Sequence, residues 1–318
     1  MLVKQSENSA ASHAGETAKP HRIQVVLNRP AVIRKPETLA ESVRATASGN
    51  VVMAMEELEK MIGLSQAKKV IYEIYALLRV NNERVKQKLK MEQQVYHMVF
   101  KGNPGTGKTT VARIFGRIFK EMGILSKGHL VEVERADLVG EFIGHTAQKT
   151  RDLIKKALGG VLFIDEAYSL ARGGEKDFGK EAIDCLTKSL EDFGNDYICI
   201  LAGYPDEMDA FLDLNPGLPS RFPIQLHFAD YLLEELLQIA EVIAKNKEYR
   251  FSPLAKEKLK QHLFKLINDP FTENFSNARY VRNKIEQAIR KQAIRLLSIS
   301  EPTREELMLL MPEDFVLE

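Results

Sequence analysis

Eight consecutive residues, Gly102-Asn103-Pro104-Gly105-Thr106-Gly107-Lys108-Thr109, separate two differently patterned stretches of the chain. Before them, Val95-Tyr96-His97-Met98-Val99-Phe100 is rich in β-branched and aromatic residues, as a buried strand is. After them, Val111, Ile114, Phe115, Ile118, Phe119 and Met122 recur at the spacing of one helix face. The glycines let the backbone curl so that its N–H groups point inward, and the following helix brings the positive end of its dipole to the same point. That combination holds phosphate. The spacing G-x-x-x-x-G-K-T is that of a P-loop, which assigns Lys108 to the β- and γ-phosphates and the Thr109 hydroxyl to Mg²⁺. Thr110 belongs to the same junction. A glycine-rich turn with an incidental lysine explains the eight residues, but not the strand before them and the helix after them.

A chain of 318 residues has room for two domains, or for one domain with a lid and extensions. Its 44% hydrophobic and 28% charged residues describe a soluble globular protein. The balance of 45 basic against 44 acidic residues argues against a dedicated nucleic-acid binder, which carries a basic excess. Cys185 falls on a predicted helix and Cys199 in a predicted strand, so both read as small core residues in a reducing, cytoplasmic setting. No apolar run approaches the ~20 residues of a membrane span. Residues 1–20 lack the apolar core of a signal peptide.

Residues 1–20 carry no periodic apolar face and are expected to be disordered. Residues 22–27 and 31–33 alternate weakly, as a short hairpin does. Residues 38–44 suit a helix before a break at Ser48-Gly49-Asn50. The segment 1–51 thus reads as a variable extension. A helix over 56–61 then leads through Ile62-Gly63-Leu64 to a long amphipathic helix with Val70, Ile71, Ile74, Leu77 and Leu78 on one face. Past the P-loop helix, a strand at 130–134 precedes a loop at 136–144 and a helix at 146–158. Val161-Leu162-Phe163-Ile164 is apolar throughout, as a central parallel strand covered on both faces must be. A charged loop at 172–178, a helix at 179–193 and strands at 197–202 and 224–228 complete the region 52–229. Strands alternating with helices make this an α/β domain, a parallel sheet flanked by helices. From 230 to 298 only helical periods remain, at 232–247, 253–267 and 276–297, and they predict a small all-helical lid. Residues 299–318, polar and acidic around Met308-Leu309-Leu310, read as a loosely attached tail.

Asp165 and Glu166 directly follow the apolar strand, and ligands bind at the carboxyl ends of such strands. Asp165 is there a second candidate ligand for Mg²⁺, and Glu166 a candidate base for an attacking water. Solvated turn acids are the alternative.

In chain order, Ile62-Gly63-Leu64, the loop at 102–109, Asp165-Glu166, Ser220-Arg221-Phe222 and Asn277-Ala278-Arg279, followed by a helical domain, resemble the AAA+ ATPases. The runs at 137–146 and 163–170 narrow the resemblance to the subfamily that holds the CbbX-type Rubisco activases and stage V sporulation protein K. The run at 168–178 most resembles its sporulation branch, and the likeness spans roughly residues 52–298. It implies ATP and Mg²⁺ as cofactors, ATP hydrolysis, a homo-oligomeric ring (a hexamer) and a protein client. It sets Ile62 and Gly63 against adenine and Gly102, Asn103, Pro104, Gly105, Thr106 and Gly107 around the phosphates; as residues alone, Ile62 and Gly63 read equally as core.

The resemblance makes Phe142-Ile143-Gly144 a pore loop that grips a substrate chain. An aromatic between two glycines is also unusual for a core position, although core packing stays open. Arg221, in the proline-rich turn at 215–223, falls where the family has its arginine finger for a neighbouring subunit's γ-phosphate. On its residues alone that turn fits a surface arginine as well. Arg279 falls at the family's phosphate-reading sensor 2. Independently, Ser276 suits an N-cap and puts Arg279 in a helix's first turn, where a cation opposes the dipole unless an anion is near. Arg282 is the alternate. Sensor 1 falls on Tyr204, where many relatives carry Asn. Two other functions stay open: an ATP-switched scaffold that threads nothing, and a DNA-acting relative, which the near-neutral charge disfavours. Within remodelling, spore development and Rubisco activation both fit.

Overall fold

The computed structural model describes residues 38–91, 94–142, 144–172, 178–269 and 275–317. The tail and hairpin expected within 1–37, Ile143 of the pore loop and residues 173–177 of the charged loop lie outside the described residues.

Helices α1 (Leu39–Arg44) and α2 (Gly49–Glu59) precede the long α3 (Ser65–Lys86). Thr38 opens α1 with a capping box shared with Glu41. Val43 of α1 and Val51, Met55 and Leu58 of α2 are buried in one core with Ile71 and Ile74 of α3. Among the described residues, packed structure therefore already includes Val43 and Val51, within the segment 1–51. The break at Ser48 is the start of α2, with Ser48 as its N-cap.

Next come β1 (Met98–Gly102), α4 (Lys108–Glu121), β2 (Leu130–Val133), α5 (Arg135–Leu138), α6 (His145–Ala157) and β3 (Val161–Ile164). A 3₁₀ turn (Ala167–Ala171), α7 (Gly179–Asp192), β4 (Ile198–Gly203), α8 (Pro205–Leu214) and β5 (Ile224–Phe228) follow. The strands pair in the order β2-β3-β4-β1-β5, all parallel. Val161 and Phe163 enter the core under α1–α4, while Leu162 and Ile164 enter the one under α5–α8. That two-sided burial explains the unbroken apolar run of β3. Helix α5 replaces part of the expected loop, closed by a capping box between Glu134 and Asp137. Helix α8 was not legible as a period, but it carries start signals: Pro205 at its first position and Asp206 and Glu207 in its first turn.

The lid comprises α9 (Leu233–Asn246), β6 (Arg250–Phe251), α10 (Pro253–Ile267), α11 (Asn277–Leu296), α12 (Arg304–Met308) and β7 (Leu309–Leu310). Residues 309–317 are not loosely attached. Strand β7 pairs with β6, Leu310 and Phe315 are buried against Ala255 and Ala288, and Arg295 holds Asp314 through two bonds of 2.9 Å. The sequence hides this because short polar segments show no period; one pairing and two anchors suffice to dock them. Among the described residues no helix is long and apolar enough to cross a membrane.

Candidate active site

Gly107 is the N-cap of α4 at φ +100°, a left-handed conformation that suits glycine, and the loop before it lies against the lid. At Gly105 (φ +71°) an added Cβ would sit 2.2 Å from the Ser276 carbonyl oxygen. The Lys108 ammonium donates to the carbonyls of Gly102 and Asn103 at 2.7 and 2.9 Å, and the Thr106 hydroxyl also donates to Asn103 at 2.8 Å. Burial pulls the Lys108 pKa below the usual lysine range; the Asp165 carboxylate opposes that shift and the Arg279 cation adds to it. These side chains therefore feel one another's charge.

At the end of β3, Asp165 continues the ladder by donating its N–H to Val133 at 2.9 Å. Glu166 then turns sharply, with φ +47° and ψ 44°. For a residue other than glycine this costs about 1–2 kcal/mol. The Asp165 carboxylate accepts the Glu166 N–H at 3.0 Å and steadies the turn. Strand β4 lies between β3 and β1, so Tyr204, just past its end, comes between the acids and the P-loop.

A cleft of about 570 Å³ joins Lys108, Thr109, Thr110, Asp165, Glu166 and Arg279. Gly102, Pro104, Gly105 and Gly107 also face it, as do Tyr204 and Arg282. Ile62 before α3 and Val242 and Ile243 of α9 add apolar wall. Its size suits a nucleotide. Three expected contacts do not line it. Gly63 packs on Tyr231 and Glu235, Thr106 is buried beneath the loop, and the Asn103 side chain turns to Asp230. Among the described residues no set of three or more His, Cys, Asp or Glu is grouped to hold a metal. Thr109 and Asp165 supply two oxygens, a partial set that suits Mg²⁺, which keeps waters and takes phosphate oxygens for the rest.

Phe142 is 64% exposed on a turn away from the cleft, its ring edge-on to His145 at 5.4 Å, so it is not a core residue. Gly144 (φ +82°) ends that turn at the start of α6. Below it, Thr146 takes the Gly140 N–H at 2.9 Å and Lys149 donates to Val139 at 3.1 Å, which pins both ends. Arg221 also lies outside its own chain's cleft, bonded to Glu191 and to the Gly217 carbonyl at 2.5 Å. Arg279 sits in the first turn of α11 as expected, but the Ser276 side chain makes no capping bond there. Asn277 does the polar work at that position, with Asp230 and Tyr231 as partners. In the sequence, Asn277 stands in the run Asn277-Ala278-Arg279, whereas no motif or period marks Asp230 or Tyr231.

A strand, glycine loop and helix set against a helical lid, with an acid pair two strands away, define a P-loop ATPase. Two family models match: "ATPase family associated with various cellular activities (AAA)" over residues 98–229 and "AAA lid domain" over 233–318. Stage V sporulation protein K of Bacillus subtilis is 53% identical over 92% of this chain and 93% of its own. Protein CbbX of Cereibacter sphaeroides is 45% identical, covering 77% and 79%, and the chloroplastic ribulose bisphosphate carboxylase/oxygenase activase of Cyanidioschyzon merolae is 42% identical, covering 82% and 90%. The FIGL-1 AAA domain in complex with ADP superposes with a TM-score of 0.54 over 80% of each chain, at 17% identity, a likeness of fold alone. The chain belongs to the AAA ATPases and hydrolyses ATP.

Proposed function

We propose that this ATPase forms a homo-oligomeric ring, a hexamer, and couples hydrolysis of Mg-ATP to the remodelling of a protein client in spore development. The observation that carries remodelling is Phe142, a large apolar ring left in water on a turn that is pinned at both ends. An exposed aromatic on a held loop suits a grip on a passing chain. The developmental role rests on the 53% identity to stage V sporulation protein K. The Rubisco-activase relatives, at 42–45%, make that class of client the second reading. An ATP-switched scaffold leaves Phe142 without a use, and the near-neutral charge gives no reason to expect a nucleic-acid partner.

In the proposed cycle, the P-loop amides and Lys108 hold the phosphates, and Thr109 and Asp165 hold Mg²⁺, which neutralises phosphate charge when bound. Glu166 takes a proton from the attacking water, Arg279 reads the phosphate from the lid, and the Arg221 guanidinium reaches a neighbour's cleft. The test is Glu166→Gln, which preserves shape and removes the base. It should bind ATP and turn over 10²–10⁴-fold more slowly. Loaded with ATP in a lysate of sporulating cells, it should retain a protein client. Normal turnover by the variant contradicts the assigned base, and recovery of only its own copies contradicts remodelling.

A further inference from the structure

Asp230 lies in the linker between β5 and α9 and does not line the cleft. Its carboxylate nevertheless takes amide hydrogens from both sides of the cleft. The Asn103 amide of the P-loop donates to its two oxygens at 3.0 and 2.9 Å, and the Asn277 amide at the head of α11 donates at 2.7 Å. Asn277 is fully buried and left-handed (φ +46°), a conformation Asn tolerates better than most residues. Its oxygen accepts the Tyr231 N–H at 2.9 Å, and its amide also donates to the Phe275 carbonyl at 2.8 Å. The seam continues with Ala278 N–H to the Gly105 carbonyl at 3.3 Å and the Tyr231 hydroxyl to the Thr106 carbonyl at 3.1 Å. Arg279 is two residues beyond Asn277.

The chemistry of the clasp is specific. Both amides present N–H groups, so the residue between them must offer acceptors to both. A carboxylate does so, and its charge strengthens each bond. An asparagine at 230 keeps one oxygen for Asn277 and sets its NH₂ group against the Asn103 amide, which donates to both carboxylate oxygens.

We propose that Asp230 is a positioning residue for ATP hydrolysis: by clasping Asn103 to Asn277 it fixes the start of α11 against the P-loop and so holds Arg279 over the phosphate cleft. The proposal rests on Arg279 facing phosphate. Because Asp230 acts through Arg279, its loss should matter only while Arg279 is present.

Steady-state ATPase rates across ATP concentration, for the full chain and for Asp230→Asn, Arg279→Ala and the double variant, test this. Asp230→Asn should lower kcat/KM about tenfold or more, the scale of a lost hydrogen bond to a charged group. In the Arg279→Ala background the same change should add less than about twofold, the mark of residues that act as a unit. Asn103→Ala, which opens the clasp from the other side, should show the same dependence. A wild-type kcat/KM for Asp230→Asn, or losses that multiply in the double variant, overturns the proposal alone. A wild-type kcat/KM for Arg279→Ala overturns the reading of Arg279 and the proposal with it.

Discussion

Arg221 donates to the carboxylate of Glu191, on a proline-rich turn that forms no part of the cleft built around Lys108. In the proposed ring, Arg221 serves transition-state charge in a neighbouring copy's cleft rather than in its own. Arg221→Ala should therefore keep its affinity for a fluorescent ATP analogue and lose turnover by roughly 10³-fold or more. Binding and turnover that fall in step would assign Arg221 to its own chain's cleft.

Phe142 is exposed, and its ring stands steeply against that of His145. Phe142→Ala should leave unfolding free energy within about 0.5 kcal/mol of wild type and leave basal ATP turnover intact. A buried phenylalanine would cost about 3–5 kcal/mol instead. Denaturant unfolding and an ATPase assay on the same preparation separate the outcomes.

His97, 1% exposed, carries an acid sensitivity unrelated to the active site. Its Nδ1 accepts the Cys199 N–H at 3.0 Å, its Nε2 has no partner among the described residues, and burial pushes its pKa down to about 4. The unfolded chain takes up this proton near pH 6.5, and the native one does not until about 4. Stability present above 6.5 is thus lost as pH falls toward 4, by about 1.4 kcal/mol per unit. Between pH 7 and 5 wild type should lose about 2 kcal/mol more than His97→Asn, which keeps an acceptor for Cys199 and does not titrate. Equal losses in urea unfolding would show that His97 is not the responsible group.

The end of the chain should behave as part of the lid. Leu310 is fully buried with Phe315 and Ala288, so Leu310→Ala should cost about 2–5 kcal/mol in unfolding free energy. A change below about 0.5 kcal/mol would restore the reading of a loose tail.

What was legible in the sequence followed physical periodicity. Val161 to Ile164 announced a strand buried on both faces, and the glycine loop between a strand and a helix announced its own geometry. The cleft residues Lys108, Thr109, Asp165 and Arg279 were named from their order along the chain, and the fold gathers them. Helix α5 and the pairing of β7 with β6 escaped because elements of two to four residues have no period to read. Asp230 escaped for a different reason. A lone carboxylate in a linker acquires meaning only when two amides distant in sequence converge on it. Arg221 was legible as a residue, but its partner Glu191 was not, since a pair thirty residues apart in sequence leaves no spacing to recognise.

In the proposed ring each ATP site is completed by a second copy of the chain, and mixing two inactive variants tests this most directly. Lys108→Ala lacks a working cleft and retains Arg221; Arg221→Ala lacks the finger and retains the cleft. Each alone should be nearly inactive, and their mixture should regain ATP turnover at the boundaries where an intact cleft meets an intact arginine. A mixture no more active than its two components, measured under conditions where wild-type copies associate, would contradict the shared site.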